Sequence, residues 1–309
     1  MSDRRQHLDA AAVLLMVLLS ACWGLNQVAI KLANAGISPI LQAGLRSLGS
    51  AVVVTAWSAH RGVRLFARDG SLGLGILIGL LFGAEFVFLY GSLVFTSASR
   101  AVLFLYTAPF FVAVGAHFVV PGERLRPQQV LGLAAAFAGV ALAFADALRF
   151  PTYRELLGDG MAFIAALLWG ATTVIVKATR LARLPPHKTL LYQLGVSALF
   201  LPALSWALGE PGLVAPTPLV LGMLAYQIVV VAFASYLAWF WLVSRYPAGR
   251  LSSFAFLTPI FGLIAGAVLL GEPVSWALAA ALVLVAIGIF LVNRAPPLPA
   301  LTTPAAARR

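Results

Sequence analysis

At 309 residues, 61% hydrophobic and only 10% charged, the chain departs from soluble domains, which are roughly 45–50% apolar and about 25% charged; water cannot solvate that much apolar surface. The net charge of +11 is scattered through short gaps between apolar runs rather than gathered into a basic, aromatic-interleaved face, which argues against nucleic acid as a partner. Cys22 is the only cysteine, so neither an intrachain disulfide nor a cysteine-based metal cluster is expected.

A helix crossing a bilayer needs about 20 mostly apolar residues. Ten such stretches are predicted, at 11–32, 39–59, 72–94, 98–119, 127–147, 157–178, 188–208, 217–243, 250–270 and 274–293. The expected fold class is therefore an all-α polytopic membrane protein. The first stretch follows Arg4 and Arg5 and contains Leu19-Ser20-Ala21-Cys22, which resembles a lipoprotein cleavage box. Signal h-regions span about 7–15 residues and then end. Here apolar character resumes through Trp23, Gly24, Leu25, Val28 and Ile30, and the segment reads as an uncleaved span.

Span one offers Trp23, Asn26 and Gln27 to an interior and ends at Lys31, read as a snorkelling anchor. Span two carries Arg46 and span three carries Glu85 and Tyr90. Both charges fall roughly 10–14 Å from the same surface at 1.5 Å per residue. A buried Arg46–Glu85 ion pair is expected, serving either coupling or packing, because intramembrane ionisable groups are costly to keep. The run Gly75-x3-Gly79-x3-Gly83 gives span three a smooth face for close packing.

Span four holds Phe104, Tyr106 and the mid-membrane Pro109, then a Gly122-Glu123 turn. Span six holds Trp169, Thr172 and Thr173 and ends at Lys177, a second anchor; span eight holds Tyr236 and Trp239. Span nine holds Phe254, Phe256, Pro259 and Gly262-x3-Gly266, then a Gly271-Glu272 turn before Pro273. Pro109 and Pro259 are hinge candidates, since proline removes a backbone donor and clashes one turn back. Glu123 and Glu272 are ascribed to helix-start electrostatics and not to a site. The residues after Asn293, with Pro296, Pro297, Pro299 and Pro304, are read as a disordered tail.

The second half repeats the first. Arg100 and Pro109 recur as Arg250 and Pro259 at an offset of 150, and Gly122-Glu123 and Gly139 recur as Gly271-Glu272 and Gly288 at 149. Trp23-Gly24 and Lys31 recur as Trp169-Gly170 and Lys177 at 146. The expected units are 1–147 and 148–294, with a tail at 295–309. Five spans per copy is odd, so the second copy enters the membrane from the opposite side, an arrangement that many secondary transporters share. With the N-terminus inside, sixteen cations fall on the inner side, Arg180 among them. Four, Lys31, Arg100, Arg149 and Arg154, fall outside. Both termini are therefore expected in the cytoplasm.

These residues resemble the drug/metabolite transporter superfamily, and within it the EamA-type ten-span carriers. The likeness rests on Trp23-Gly24…Lys31, Ala98-Ser99-Arg100 before Pro109, Gly122-Glu123-Arg124 and Gly139-Val140. It rests equally on their second copies, Trp169-Gly170…Lys177, Pro247-Ala248-Gly249-Arg250, Pro259, Gly271-Glu272-Pro273 and Gly288. The resemblance implies a ten-helix basket whose central cavity is lined by helices one, three, four, six, eight and nine, with five and ten bracing it from outside. It also implies export of small metabolites from a bacterial cytoplasm across the inner membrane, commonly amino acids, aromatic ones included.

The function expected is a secondary or facilitative transporter working by alternating access, with helices one, two, six and seven moving against three, four, eight and nine. Other small solutes (purines, amines, sugars or nucleotide-sugar-like molecules) are the nearest alternatives; a membrane-embedded enzyme or a channel is a more distant one. His7, His60, His117 and His187 are scattered, so no metal, cofactor or catalytic residue is expected and the protein is read as a non-enzyme. The partners expected are the lipid bilayer and a small solute, with a monomer preferred to a homodimer.

Overall fold

The computed structural model describes residues 7–63, 65, 69–145, 150–271 and 276–294. The cations Arg4, Arg5, Arg64, Arg68, Arg149, Arg308 and Arg309, the Glu272-Pro273 turn and the tail at 295–309 lie outside the described residues.

Among the described residues ten helices follow one another: α1 (Ala10–Ala33), α2 (Pro39–His60), α3 (Leu72–Ser92), α4 (Ala98–Val119), α5 (Pro127–Ala143), α6 (Tyr153–Ala178), α7 (Pro186–Ala207), α8 (Pro218–Arg245), α9 (Ala248–Leu269) and α10 (Trp276–Asn293). Nine are long and apolar enough to cross a membrane, while α5 is shorter. Its 17 residues reach about 26 Å at 1.5 Å per residue, against a hydrocarbon core of roughly 30 Å. The helices start where the sequence supplies a start. Pro39, Pro127, Pro186 and Pro218 each open one, where the missing N–H costs nothing. Asp9 accepts from the Ala12 N–H at 2.8 Å to cap α1, and Thr152 and Glu155 form a reciprocal capping box on α6. Large apolar side chains such as Leu18, Val52, Phe118, Leu199 and Phe290 remain exposed, as a lipid-facing surface requires.

Two helices break where proline predicts. In α4 the first segment stops at Leu105 and the second starts at Ala108; Leu105 is the residue whose carbonyl Pro109 would strike. In α9 a 3₁₀ turn, Phe254–Phe256, precedes the segment holding Pro259. Neither sequence motif signals the π-helix at Gln227–Ser235 within α8. Such widened turns recur at functional positions. There Ser50 Oγ–H donates to the Ile228 carbonyl at 2.8 Å, and Gly49 lets Ile228 approach α2 closely.

Packing follows a two-fold pattern. A Cβ on Gly24 of α1 would meet Phe261 of α9 at 2.6 Å, and one on Gly170 of α6 would meet Phe111 of α4 at 2.5 Å. Those residues are repeat equivalents. On α5, Gly139 faces the Ala281 carbonyl and Gly132 faces that of Gly288 on α10, at 2.8 and 2.7 Å from an added Cβ. Numbers rise along one helix as they fall along the other, so α5 and α10 are antiparallel. Equivalent helices of the two copies thus run oppositely, which is the inverted repeat. The α5–α10 pair packs chiefly on itself and leaves eight helices around a centre. Gly75, Gly79 and Gly83 of α3 receive Tyr192, Val196 and Phe200 of α7, so that run serves packing within the chain.

Candidate functional site

A cavity of about 240 Å³ lies between the eight central helices. Each of α1, α2, α3, α4, α6, α7, α8 and α9 contributes to its wall, and α5 and α10 do not line it. It extends past Ile30 and Tyr90 to Leu93 and Ala98, at the end of the bundle away from His7 and Asn293. Its volume falls below the roughly 300–1,000 Å³ of drug-sized pockets, a size for a small metabolite.

The aromatic wall is built on helical spacing. Phe82, Phe86 and Tyr90 recur every fourth residue along α3, with ring centroids 5.0 and 6.2 Å apart. Trp23 sits edge-on to Tyr236 and Trp239, at 6.4 and 5.8 Å, and its Nε1–H donates to Ser235 Oγ at 2.8 Å. Tyr106 meets Trp169 edge-on at 6.1 Å. Ser235 thus ties the π-helix of α8 to the cavity tryptophan.

An arginine and a carboxyl group face this space. Arg46 is 1% exposed and Glu85 9%, and both line the cavity. The guanidinium of Arg46 lies over the Phe86 ring, 4.4 Å from its centroid. Its Nε and Nη2 have no hydrogen-bond partner among the described residues. The anticipated Arg46–Glu85 ion pair does not form: no salt bridge within 4.0 Å joins them. The ring of Phe86, next in sequence to Glu85, takes the guanidinium instead. Asn26 Oδ1 is also buried without a partner among the described residues. Leaving charged and polar groups buried and unmatched is unfavourable by several kcal/mol for an ion, so the wall suits a solute with its own charges and hydrogen-bonding groups.

Among the sequence-predicted residues, Trp23, Asn26, Gln27, Arg46, Glu85, Tyr90, Tyr106, Trp169, Thr172, Thr173, Tyr236 and Trp239 meet at the cavity. Phe104, Phe254 and Phe256 do not. Phe254 and Phe256 are buried in the core, Phe256 against Phe110 and Phe137, because the 3₁₀ turn in α9 rotates them off the cavity face. Pro109 and Pro259 start helix segments beside the cavity rather than lining it. Gln193 and Thr258 line the wall without a sequence signal; Phe82 and Phe86 line it too and were not anticipated, although their four-residue spacing with Tyr90 is a signal that could have found them.

The opposite end is sealed. Lys177, expected as a snorkelling anchor, is 2% exposed. Its Nζ donates to the carbonyls of Val243 and Tyr246 at 2.7 and 2.6 Å and lies 3.5 Å from Glu123 Oε1. Glu123 Oε2 in turn accepts the Ala248 N–H at 2.7 Å, so this carboxylate joins the seal and is more than a helix-start charge. Burial pushes its carboxyl above the usual range, opposed by Lys177 and the Ala248 N–H. The seal links α6, the end of α8, the start of α9 and the α4–α5 turn. The repeat equivalent, Lys31, is exposed. At the open end Arg100 is held by Asp159, whose Oδ1 also accepts from Thr96 Oγ1 at 2.9 Å.

Comparison with known proteins accords with this architecture. The pattern of the EamA-like transporter family matches residues 10–145 and again 156–294. A probable amino-acid metabolite efflux pump of Salmonella typhimurium is 29% identical over 288 residues, spanning 90% of this chain and 93% of its own length. A protein of the same description from Escherichia coli is 26% identical, over 92% of this chain and 94% of its own. The uncharacterized transporter YvbV of Bacillus subtilis is 27% identical, over 91% and 90%. A protein of known crystal structure superposes with a TM-score of 0.81 at 23% identity, covering 93% of this chain and 97% of that one, a likeness of fold. With two copies of the family pattern, ten apolar helices and a lined central cavity, the chain is a multi-pass membrane protein of the EamA-like transporter family.

Proposed function

We propose that this protein is a secondary carrier that exports small zwitterionic metabolites, amino acids with aromatic or apolar side chains foremost, by alternating access. The observation that carries the reading is that Arg46 and Glu85 line one aromatic cavity with no salt bridge within 4.0 Å between them. Arg46 takes the solute carboxylate through its unpartnered Nε and Nη2, and Glu85 takes the ammonium. Trp23, Tyr90, Tyr106, Trp169, Tyr236 and Trp239 take the side chain, and Asn26, Gln27, Thr172 and Thr173 complete the polar contacts. The efflux-pump descriptions of two relatives support this substrate class.

In this reading the protein sits in a bacterial inner membrane with both ends of the chain in the cytoplasm, following the excess of arginine and lysine on that side. The cavity then faces outward, and the Lys177 seal closes the inner side. The moving units are groups within the two copies, 1–147 and 148–294. The packing of α3 on α6 and α7, and of α8 on α1 and α2, favours α3, α4, α6 and α7 against α8, α9, α1 and α2 over the grouping expected from sequence. Pro109 and Pro259, each beside a helix break, are the hinges. No nucleotide-binding loop occurs in the sequence, so a gradient drives transport.

Saturable flux in proteoliposomes, competed by zwitterionic amino acids and lost in Arg46→Gln, tests the reading. Flux competed equally by uncharged purines or sugars and insensitive to Arg46→Gln would overturn the substrate class. Conductance that never saturates would overturn the carrier.

A further inference from the structure

A second pocket, of about 120 Å³, opens at the His7 end beneath the Lys177 seal. Arg124 and Arg126 enter it from the α4–α5 connection, and Arg250 from the start of α9. Arg250 is 8% exposed. Its Nη1–H groups are taken by His7 Nδ1 at 2.9 Å and the Asn293 carbonyl at 3.1 Å, both uncharged acceptors. His7 lies outside the spans, and burial together with Arg250 and Arg126 holds its imidazole below the ordinary range, so it is the neutral acceptor that this bond needs. Among the described residues none of the three arginines has a carboxylate within 4.0 Å. The one carboxylate in the wall, Glu123, is occupied by Lys177 and the Ala248 N–H. The repeat equivalent of Arg250 behaves differently: Arg100 is neutralised by Asp159.

A nine-tenths buried guanidinium beside two more, with no counter-charge of its own among the described residues, is unfavourable unless something anionic completes it. We propose that this pocket binds a small oxyanion, a phosphate or carboxylate group. There it bridges Arg250 to Arg124 and Arg126 and fastens the α4–α5 connection to α9. These are the elements that the Lys177–Glu123 cluster also joins, so the bound anion holds this end of the transporter shut. The oxyanion comes either from solution or from the headgroup of an anionic lipid.

Thermal unfolding of the full chain in detergent, in sodium phosphate against sodium chloride at matched ionic strength, tests the site. Wild type should show a saturable rise of roughly 2–4 °C at ten times the half-saturating phosphate concentration. The double variant Arg124→Gln/Arg126→Gln alters two exposed side chains and should unfold at the wild-type temperature in chloride but lose the rise; Arg250→Gln should lose it too. If phosphate is silent in detergent, nanodiscs of phosphatidylglycerol against phosphatidylcholine supply the lipid arm, where the same rise in wild type and its loss in the double variant assign the headgroup. Absence of any rise in both arms, or a rise that survives both variants, overturns the proposal.

Discussion

Replacing Lys177 with methionine keeps the apolar stem and removes the ammonium that closes the His7 end. Two charge-assisted hydrogen bonds are lost, to Val243 and Tyr246, each contributing about 1.5–3 kcal/mol. In a conformation open at that end water replaces both partners, so the loss falls almost wholly on the closed state. Taking the lower value for each gives about 3 kcal/mol, a factor of roughly 150 in the closed-to-open ratio. The assay uses a Cys22→Ala background with a reporter, Thr173→Cys, in the cavity wall. An impermeant maleimide is applied to sealed vesicles from either face. Wild type should label from the face distal to His7. Adding Lys177→Met should raise labelling from the His7 face at least tenfold and lower it from the other. Unchanged sidedness with a lowered melting temperature would refute the gate and leave Lys177 a static brace.

Glu85→Gln should flatten the pH dependence of flux with little effect on melting temperature, since the carboxylate lines the cavity and lacks the ion pair once expected of it; an unchanged pH profile with a fallen melting temperature would mark it as structural. Gly288→Val should destabilise by about 2 kcal/mol or more, because even a Cβ would lie 2.5 Å from backbone atoms of α5; a melting temperature within a degree of wild type would mean that α5 and α10 do not pack so closely. Burial raises the Glu123 carboxyl, so the folded state takes up that proton more readily than the unfolded chain. Stability from this group therefore rises as pH falls toward the ordinary carboxylate range, and Glu123→Gln should remove that part of the melting-temperature slope; identical slopes in variant and wild type would contradict the burial. Cysteines at Arg180 and Arg154 should react with impermeant reagent from opposite faces, and reaction from one common face would overturn the inverted arrangement.

The helices and their repeat were readable because lipid imposes a one-dimensional rule. A segment must be apolar for about 20 residues and satisfy its backbone within itself, and each break or start needs a proline, glycine or cap that the sequence displays. The breaks before Pro109 and Pro259 and the recurrence of Gly139 as Gly288 belong to that legible part, as does the gathering of Trp23, Glu85 and Trp169 on inner helices. Which side chain meets which depends on helix rotation and depth, set by packing between segments more than 100 residues apart, and no local rule encodes it. So Arg46 lay on the right helix but met Phe86 instead of Glu85, and Phe254 and Phe256 turned into the core. Lys177, a lipid anchor by its position at a helix end, became a buried clasp because the carbonyls of α8 and the Glu123 carboxylate converge on it in space alone.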